Sequence, residues 1–260
     1  MSSAHLVFIT GASSGIGWAF AQACLQRGWS VALVARRADA LREQLQEQSW
    51  PTERWRVWAA DVTDAAAMQT VAQACMASLG LPDIVIANAG ISLGVDTAEA
   101  EDLAVFDEVM RTNVLGVVHT FHPFMAAMRA RRSGRLVGMA SVAGIRGLPG
   151  HGAYCASKAA VISYCESLRG ELGRHGVGVS VIAPGYVATP LTARNRYPMP
   201  FLMQPEAFAR EALQAIVSGT SYRVIPWPMA IVAKLLRVLP DAWLDRLLRG
   251  RQRKHRHTER

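Results

Sequence analysis

Two hydrophobic patterns alternate along most of the chain. Short, nearly continuous apolar runs, rich in β-branched residues, are typical of strands that are buried on both faces. These strand candidates are Leu6–Thr10, Ser30–Ala35, Trp55–Ala60, Asp83–Ala87, Arg135–Ala140, Val177–Ala183 and Tyr222–Ile225. Between them, apolar residues recur every three or four positions, which predicts helices over Trp18–Arg27, Ala38–Gln48, Ala65–Leu79, Leu103–Arg131 and Ala153–Arg174. The alternation predicts a doubly wound α/β fold, in which a parallel sheet of about seven strands carries helices on both faces.

Size and composition fit one such domain. The chain has 260 residues, of which 51% are hydrophobic and 18% are charged. These values exclude a disordered, collagen-like or coiled-coil chain. The four Cys show no Cys-x-x-Cys spacing, and the apolar run Leu6–Ile9 is too short for a signal-peptide core. We therefore expect neither a disulfide framework nor a secretory signal.

The net charge of +8 is concentrated at the C-terminus. Residues 249–260 hold six Lys and Arg against one Glu, which leaves 22 basic and 19 acidic residues, or +3, in residues 1–248. A nearly neutral body is not the charge pattern of a nucleic-acid-binding domain, so we expect no nucleic-acid partner.

A glycine-rich segment follows the first strand and precedes the first helix. It reads Thr10-Gly11-Ala12-Ser13-Ser14-Gly15-Ile16-Gly17, with the spacing G-x-x-x-G-x-G. Glycines at such a turn let the backbone approach a pyrophosphate, which then lies at the N-terminus of a helix. The alternative is a glycine-containing turn without a ligand. The position after the first strand favours a Rossmann-type nucleotide site.

A Tyr-x-x-x-Lys pair is the second candidate for chemistry. Tyr154 and Lys158 stand four residues apart in a helical segment, so both side chains lie on one face. The chain has five Tyr and three Lys, so a chance pair at this spacing would be rare. Lys also differs from Arg in that its pKa can be tuned by its surroundings.

Taken together, these motifs make the sequence resemble the short-chain dehydrogenase/reductase family, in its single-domain branch, over roughly residues 4–226. The motifs follow in the family's order: TGASSGIG at 10–17, Asp61-Val62, Asn88-Ala89-Gly90, Asn113, Ser141, Tyr154 with Lys158, and Pro184-Gly185 with Thr189. One departure is Ala87, where many members have a second Asn. The Asn of the family pattern, Asn88, is present.

The resemblance implies a catalytic set of Asn113, Ser141, Tyr154 and Lys158. Tyr154 would be the acid/base that exchanges a proton with the substrate oxygen. A free Tyr has a pKa of about 10, which Lys158 and the charge of an oxidised nicotinamide would lower towards neutrality. Ser141 would polarise the substrate oxygen through a hydrogen bond. Asn113 would hold a water that links Lys158 to solvent.

Cofactor preference depends on the end of the second strand. NAD enzymes need an acidic residue there to bind the ribose 2′-hydroxyl, but this chain has Ala35, followed by Arg36 and Arg37. Arginine binds a 2′-phosphate well, so we expect NADP(H) to be preferred over NAD(H). Two solvated arginines before a helix are the alternative. The residues that we expect to bind the cofactor are Gly11, Ser13, Ser14, Gly15, Ile16, Gly17, Arg36, Arg37, Asp61, Val62, Asn88, Ala89, Gly90, Tyr154, Lys158, Pro184, Gly185, Val187 and Thr189.

The substrate region predicts a hydrophobic ligand. Between Pro190 and Gln204 the chain is rich in aromatic residues, Leu and Met, namely Tyr197, Met199, Phe201, Leu202 and Met203. Such a loop suits a lipid-like, steroid-like or aromatic ketone, aldehyde or alcohol, although these residues could also pack on the body. We expect no metal ligands, because His119 and His122 have no carboxylate or Cys at a useful spacing. His151 is either a turn residue or part of the substrate mouth.

We divide the chain into a catalytic domain (1–226) that contains the cofactor and substrate sites, a helical extension (227–249) and a flexible basic tail (250–260). The extension reads as two short apolar helices separated by Pro240. It could pack on the body as a lid, form a dimer contact or lie on an anionic membrane. We favour packing or dimerisation, and we expect a cytoplasmic homodimer or homotetramer, with peripheral membrane contact as the alternative.

The function that these motifs favour is an NADP-preferring oxidoreductase. A 3-oxoacyl carrier-protein reductase is the rival among enzymes, but the long apolar C-terminal segment differs from the usual short end of those enzymes. A catalytically idle NADP-binding regulatory protein is the rival from another class, because a fold does not fix a function.

Overall fold

The structure, a computed structural model, describes residues 5–193, 195, 198–249 and 256. Its strands are β1 (Leu6–Thr10), β2 (Ser30–Ala35), β3 (Trp55–Ala59), β4 (Ile84–Ala87), β5 (Arg135–Met139), β6 (Gly178–Pro184) and β7 (Tyr222–Ile225). Its α-helices are α1 (Gly15–Gln26), α2 (Ala38–Glu47), α3 (Ala65–Leu79), α4 (Asp102–Met110), α5 (Gly116–Arg131), α6 (Gly152–Gly173), α7 (Pro205–Val217), α8 (Trp227–Val238) and α9 (Asp241–Leu248).

The seven strands form one parallel sheet in the order β3-β2-β1-β4-β5-β6-β7. β1 is central: Val7 stands beside Val31 of β2 on one side and Ile84 of β4 on the other. The chain therefore winds outwards from β1 in one direction and, after β3, returns to continue from β4 in the other. This order confirms the predicted doubly wound Rossmann-type fold.

Both faces of the sheet are buried, as the continuous apolar runs predicted. On β1, Val7 and Ile9 belong to a core that also contains buried residues of α1, α2 and α7. Leu6 and Phe8 belong to the opposite core, with α3, α5 and α6. Phe8 packs edge-to-face on Phe124 of α5, with ring centroids 4.8 Å apart. A fully buried Phe of this kind contributes about 1.5–3 kcal/mol to stability.

The sequence analysis predicted a single helix over Leu103–Arg131, and this prediction is wrong in one respect. A π-helical turn, Arg111–Leu115, separates α4 from α5. After this turn Gly116 lies so close to Val62 that a Cβ on it would be 2.7 Å from Val62 Cγ2. Single π-helical turns inside α-helices are frequent at functional sites. This one contains Asn113, whose side chain is buried.

The C-terminal extension contacts the body through α8 and α9. Met229 and Ala233 of α8 and Leu244 of α9 are buried. The Arg146 guanidinium binds the backbone oxygen of Leu239 at 3.2 Å. No helix among the described residues is both long and apolar enough to cross a membrane.

The predicted flexible tail lies outside the described residues except for Arg256. Its Nε donates a hydrogen bond to Oδ2 of Asp102, at 2.9 Å. Asp102, the first residue of α4, is completely buried. The sequence analysis did not anticipate this fixed contact, which gives a buried carboxylate a cationic partner.

Candidate active site

A cleft of about 660 Å³ opens at the carboxyl ends of the strands. It lies where the chain reverses its winding direction, between β1 and β4, which is where open α/β sheets bind ligands. Its volume is in the range of sites for small molecules and cofactors. The loops that follow β1, β2, β3, β4, β5 and β6 all contribute to its wall.

The glycine-rich loop is built for close approach to a ligand. Gly11 has a φ of +66°, in the left-handed region that favours glycine. A Cβ on Gly17 would lie 2.2 Å from the Gly11 carbonyl oxygen, so a larger residue would push the first turn of α1 out of place. The N-cap residue of α1, Ser14, makes no side-chain capping bond, which leaves the first N–H groups of the helix for an anion.

Hydrogen bonds hold this loop to the neighbouring one after β4. Thr10 Oγ1 accepts the backbone N–H groups of Asn88 and Ala89 at 3.1 and 3.3 Å. The Asn88 amide donates in return to the carbonyl oxygens of Thr10 and Gly11, at 3.0 and 3.2 Å. The cradle is thus pre-organised, and its shape fits the pyrophosphate of a dinucleotide. The sequence analysis missed this role of Thr10.

The far rim of the cleft carries two arginines and an aspartate. Arg36 and Arg37 follow β2, and the exposed Arg36 guanidinium is 3.7 Å from Asp61 Oδ2. Burial alone would raise the pKa of Asp61, but two hydrogen bonds from Thr63 and the charge of Arg36 outweigh burial and lower the pKa. The rim therefore pairs a carboxylate with an exposed cation at the edge of the cleft.

The opposite side of the cleft carries Ser141, Tyr154 and Lys158. Ser141 ends the extended segment after β5 and accepts the Ala143 N–H at 3.2 Å. Tyr154 and Lys158 extend from the first turns of α6. The Ser141 hydroxyl is close enough to Tyr154 to lower the pKa of its phenol. Lys158 Nζ donates to the Met139 carbonyl oxygen at 2.8 Å and lies 5.8 Å from the centroid of the Tyr154 ring.

Burial changes the proton affinities of both groups. It lowers the pKa of Lys158 to about 8, because the buried ammonium has lost its hydration. It raises the pKa of Tyr154, and the neighbouring Ser141 hydroxyl counteracts this only in part. We expected Lys158 and the charge of an oxidised nicotinamide to lower the pKa of Tyr154. Among the protein's own groups burial has the larger effect, so the phenol is neutral at pH 7.

Asn113 lies behind the cleft wall and does not line the cleft. Its Oδ1 accepts the Ile91 N–H at 2.8 Å, and its Nδ2 donates to the Ile91 carbonyl oxygen at 2.9 Å. Nδ2 also donates to Ser157 Oγ at 3.0 Å, and Ser157 Oγ donates to the Tyr154 carbonyl oxygen at 2.8 Å. Asn113 thus connects the loop after β4 to the helix that carries Tyr154. The sequence analysis missed Ser157, although its place between Tyr154 and Lys158 was a signal.

The structure brings almost all of the predicted cofactor residues to one cleft. Those that line it are Gly11, Ser13, Ser14, Gly15, Ile16, Arg36, Arg37, Asp61, Val62, Asn88, Ala89, Gly90, Tyr154, Lys158, Pro184, Gly185, Val187 and Thr189. Gly17 instead packs behind Gly11. Pro190, Leu191 and Thr192, in the loop after β6, also line the cleft.

The remaining candidate residues lie elsewhere. Tyr197 falls outside the described residues, and Met203 makes a backbone bridge with Val187. His151 is buried at the N-cap position of α6, and His119 Nδ1 contacts the Val62 carbonyl oxygen at 2.9 Å. In the part of the chain that the structure describes, no group of three or more His, Cys, Asp or Glu side chains could hold a metal ion.

Comparisons with known proteins agree with this geometry. The family model of the short chain dehydrogenases matches residues 5–199. An uncharacterized oxidoreductase of Myxococcus xanthus is 37% identical over 246 residues, which are 94% of this chain and 96% of that protein. A short chain dehydrogenase/reductase of Burkholderia phymatum, solved in complex with NAD, is similar with a TM-score of 0.80 and 25% identity, over 95% of this chain and 96% of that one. An alcohol dehydrogenase of Thermococcus sibiricus, complexed with 5-hydroxy-NADP, has a TM-score of 0.75 and 26% identity, over 86% and 96%.

Proposed function

The chain belongs to the short-chain dehydrogenase/reductase family of NAD(P)-dependent oxidoreductases acting on CH–OH groups, and we propose that it prefers NADP(H) and interconverts a carbonyl and an alcohol on a small hydrophobic substrate. The observation that carries the proposal is that Ser141, Tyr154 and Lys158 line the same cleft, with Lys158 Nζ 5.8 Å from the centroid of the Tyr154 ring. Such a set supplies a proton donor and a second hydrogen bond to one substrate oxygen.

In the proposed reduction, the nicotinamide, when bound, supplies a hydride to the carbonyl carbon. Tyr154 donates its phenolic proton to the carbonyl oxygen, which becomes the alcohol oxygen, and Ser141 holds that oxygen in place by a hydrogen bond. The raised pKa of Tyr154 keeps the phenol protonated at pH 7, which is the state that a proton donor needs. The positive charge of Lys158 then stabilises the phenolate that remains. In oxidation the same proton moves in the opposite direction.

The proposed preference for NADP(H) rests on the rim beside Asp61. Ala35, at the end of β2, offers no carboxylate to the ribose 2′-hydroxyl, and Arg36 and Arg37 border the cleft there. A charged hydrogen bond to a 2′-phosphate is worth about 1.5–3 kcal/mol, which corresponds to roughly 10- to 150-fold in affinity. Asp61, 3.7 Å from Arg36, holds this cation near the site but would repel a phosphate. We propose that the attraction of Arg36 and Arg37 for the 2′-phosphate outweighs the repulsion by Asp61.

The proposed hydrophobic substrate rests on the loop after β6. Pro190 and Leu191 line the cleft, and Phe201 and Leu202 are exposed on the same loop. Apolar side chains that remain exposed beside a cleft can gain free energy by covering an apolar ligand. We therefore expect longer or ring-containing ketones and aldehydes to be better substrates than short polar ones.

The test is a set of carbonyl compounds of increasing hydrophobicity, assayed with NADPH and with NADH. We expect kcat/KM to rise with hydrophobicity and to be at least roughly tenfold higher with NADPH. Arg36→Ala should lower kcat/KM for NADPH by roughly 10- to 150-fold and leave that for NADH within about twofold. Arg210→Ala, an exposed arginine on α7, is the matched control and should change neither. Equal losses with both cofactors, or a preference of the wild type for NADH, would overturn the proposed preference.

A further inference from the structure

Helix α8 is apolar on two opposite faces, and only one of them is covered by the body. Trp227, Ile231, Leu235 and Val238 are spaced by four, four and three residues, so they share one face. Their exposed fractions are 65%, 51%, 61% and 76%. A helix that is hydrophobic all round is normally buried all round. The exposed apolar face of α8 is therefore a candidate contact surface for another molecule.

The orientation of α8 is fixed by its other face. Met229 and Ala233 are buried, and a Cβ on Gly185 would lie 2.9 Å from Met229 Cγ. At the end of the helix, Arg237 Nη1 donates to the Ile145 carbonyl oxygen at 3.2 Å. The apolar stripe cannot turn inwards without breaking these contacts. It is a stable feature of the surface.

The charge around the stripe is positive. Exposed basic side chains accompany it on α8, on α9 and just after α9, namely Lys234, Arg246 and Arg249. In the described part of this segment, residues 227–249 contain four Lys and Arg against two Asp. One of these two aspartates, Asp241, is engaged by Arg146. On α9, Trp243 is also exposed.

We propose that the exposed face of α8, with Trp243 of α9, is a docking surface for an anionic lipid bilayer. The apolar side chains would enter the boundary between headgroups and acyl chains, tryptophans would sit at headgroup level, and the cations would contact lipid phosphates. A helix of 12 residues is about 18 Å long, which suits a position in the plane of the membrane. A bilayer brings negative charge to this surface.

A second copy of the chain fits this surface less well. In a two-fold symmetric contact the same patch lies on both sides, so the contact would bring two positively charged patches together. Like charges across an interface oppose association. Charge complementarity therefore favours the lipid surface over self-association through this face.

The test is co-sedimentation of the full-length protein with vesicles of phosphatidylcholine, with and without about 30 mol% phosphatidylserine. We expect binding to the anionic vesicles, weaker binding to the neutral ones, and loss of binding as salt screens the charges. Val238→Glu should weaken binding at least roughly tenfold, because it places a charge where an apolar side chain would enter the bilayer. Val217→Glu is the matched control, because Val217 is likewise the last residue of its helix and is 53% exposed. It should leave binding unchanged.

Two further measurements, on charge-reversal variants and on the molar mass, test the same surface. If Val238→Glu does not fold, the charge reversals Lys234→Glu and Arg249→Glu, on exposed side chains, test the same surface and should also weaken binding. The molar mass in solution is measured for each variant. The proposal is overturned if the wild type does not bind anionic vesicles, if Val217→Glu weakens binding as much as Val238→Glu, or if Val238→Glu turns a dimer into a monomer without affecting vesicle binding.

Discussion

Replacing Lys158 by Met should remove turnover and stabilise the fold at the same time. The side chain is buried, and burial lowers the pKa of Lys158 from its ordinary value of 10.5 to about 8. That difference corresponds to about 3 kcal/mol of destabilisation at pH 7, where the ammonium is charged in both states. Met has a similar length and no charge, but it leaves the Met139 carbonyl oxygen without its hydrogen bond, which costs about 1 kcal/mol. We expect a net stabilisation of about 2 kcal/mol.

The stability gained by Lys158→Met should decrease as the pH rises. Between pH 8 and 10.5 the unfolded chain holds a proton on Lys158 that the folded protein has already released, so the wild type becomes more stable as the pH rises. The difference in stability between Lys158→Met and the wild type should therefore fall by about 2.5 kcal/mol between pH 7 and pH 10, so that no advantage remains at pH 10. Urea unfolding of both proteins at the two pH values measures this difference.

The control for this experiment is Lys234→Met, because Lys234 is exposed on α8. Its stability should stay within about 0.5 kcal/mol of the wild type at both pH values, and its turnover in solution should be unchanged. Turnover of Lys158→Met should fall at least roughly 100-fold. The reasoning is refuted if Lys158→Met is less stable than the wild type at pH 7, or if its advantage in stability does not decrease as the pH rises. Either result would show that burial of the Lys158 ammonium does not destabilise the fold.

Three further predictions concern other parts of the site and the fold. Ser141→Ala should lower kcat by roughly 10²-fold or more while the affinity for NADPH persists, since it removes a hydrogen bond to the reacting oxygen; an unchanged kcat would contradict this role. Gly17→Ala should weaken NADPH binding and lower the melting temperature, because its Cβ would lie 2.2 Å from a backbone oxygen; calorimetry and a thermal scan measure both. Asp102→Asn should lower the urea midpoint, because it removes the buried charge that Arg256 binds. The control is Asp107→Asn, which removes an exposed ion pair with Arg111 on the same helix and should leave the urea midpoint unchanged.

The fold was largely predictable because its signals are local. β2 and β7 have the predicted bounds, and α3 spans the predicted Ala65–Leu79, because apolar runs and periodic segments are bounded there by turn residues and caps. The π-helical turn at Asn113 was not predictable in this way. Apolar residues recur at three and four positions on both sides of it, whereas the Asn113 side chain within the turn bonds to the backbone of Ile91 and to Ser157, which are distant in sequence.

The positions of the site residues were more predictable than their energetics. Residues from loops far apart in sequence meet at the carboxyl ends of the strands, as the fold requires. The raised pKa of Tyr154 depends on how deeply α6 packs, which no motif encodes. The pairing of Arg256 with Asp102 joins residues 154 positions apart, and neither local pattern points to the other.

The most direct test of the account is the turnover of Tyr154→Phe with NADPH and a hydrophobic carbonyl compound. The substitution keeps the ring and removes only the proton that the account assigns to the substrate oxygen. Tyr164→Phe, on the same helix, is the control and should retain the wild-type rate. We expect Tyr154→Phe to lose at least roughly 100-fold in kcat while its affinity for NADPH stays within about twofold. A near-native rate for Tyr154→Phe would contradict the assignment of Tyr154 as the acid/base, and with it the proposed mechanism.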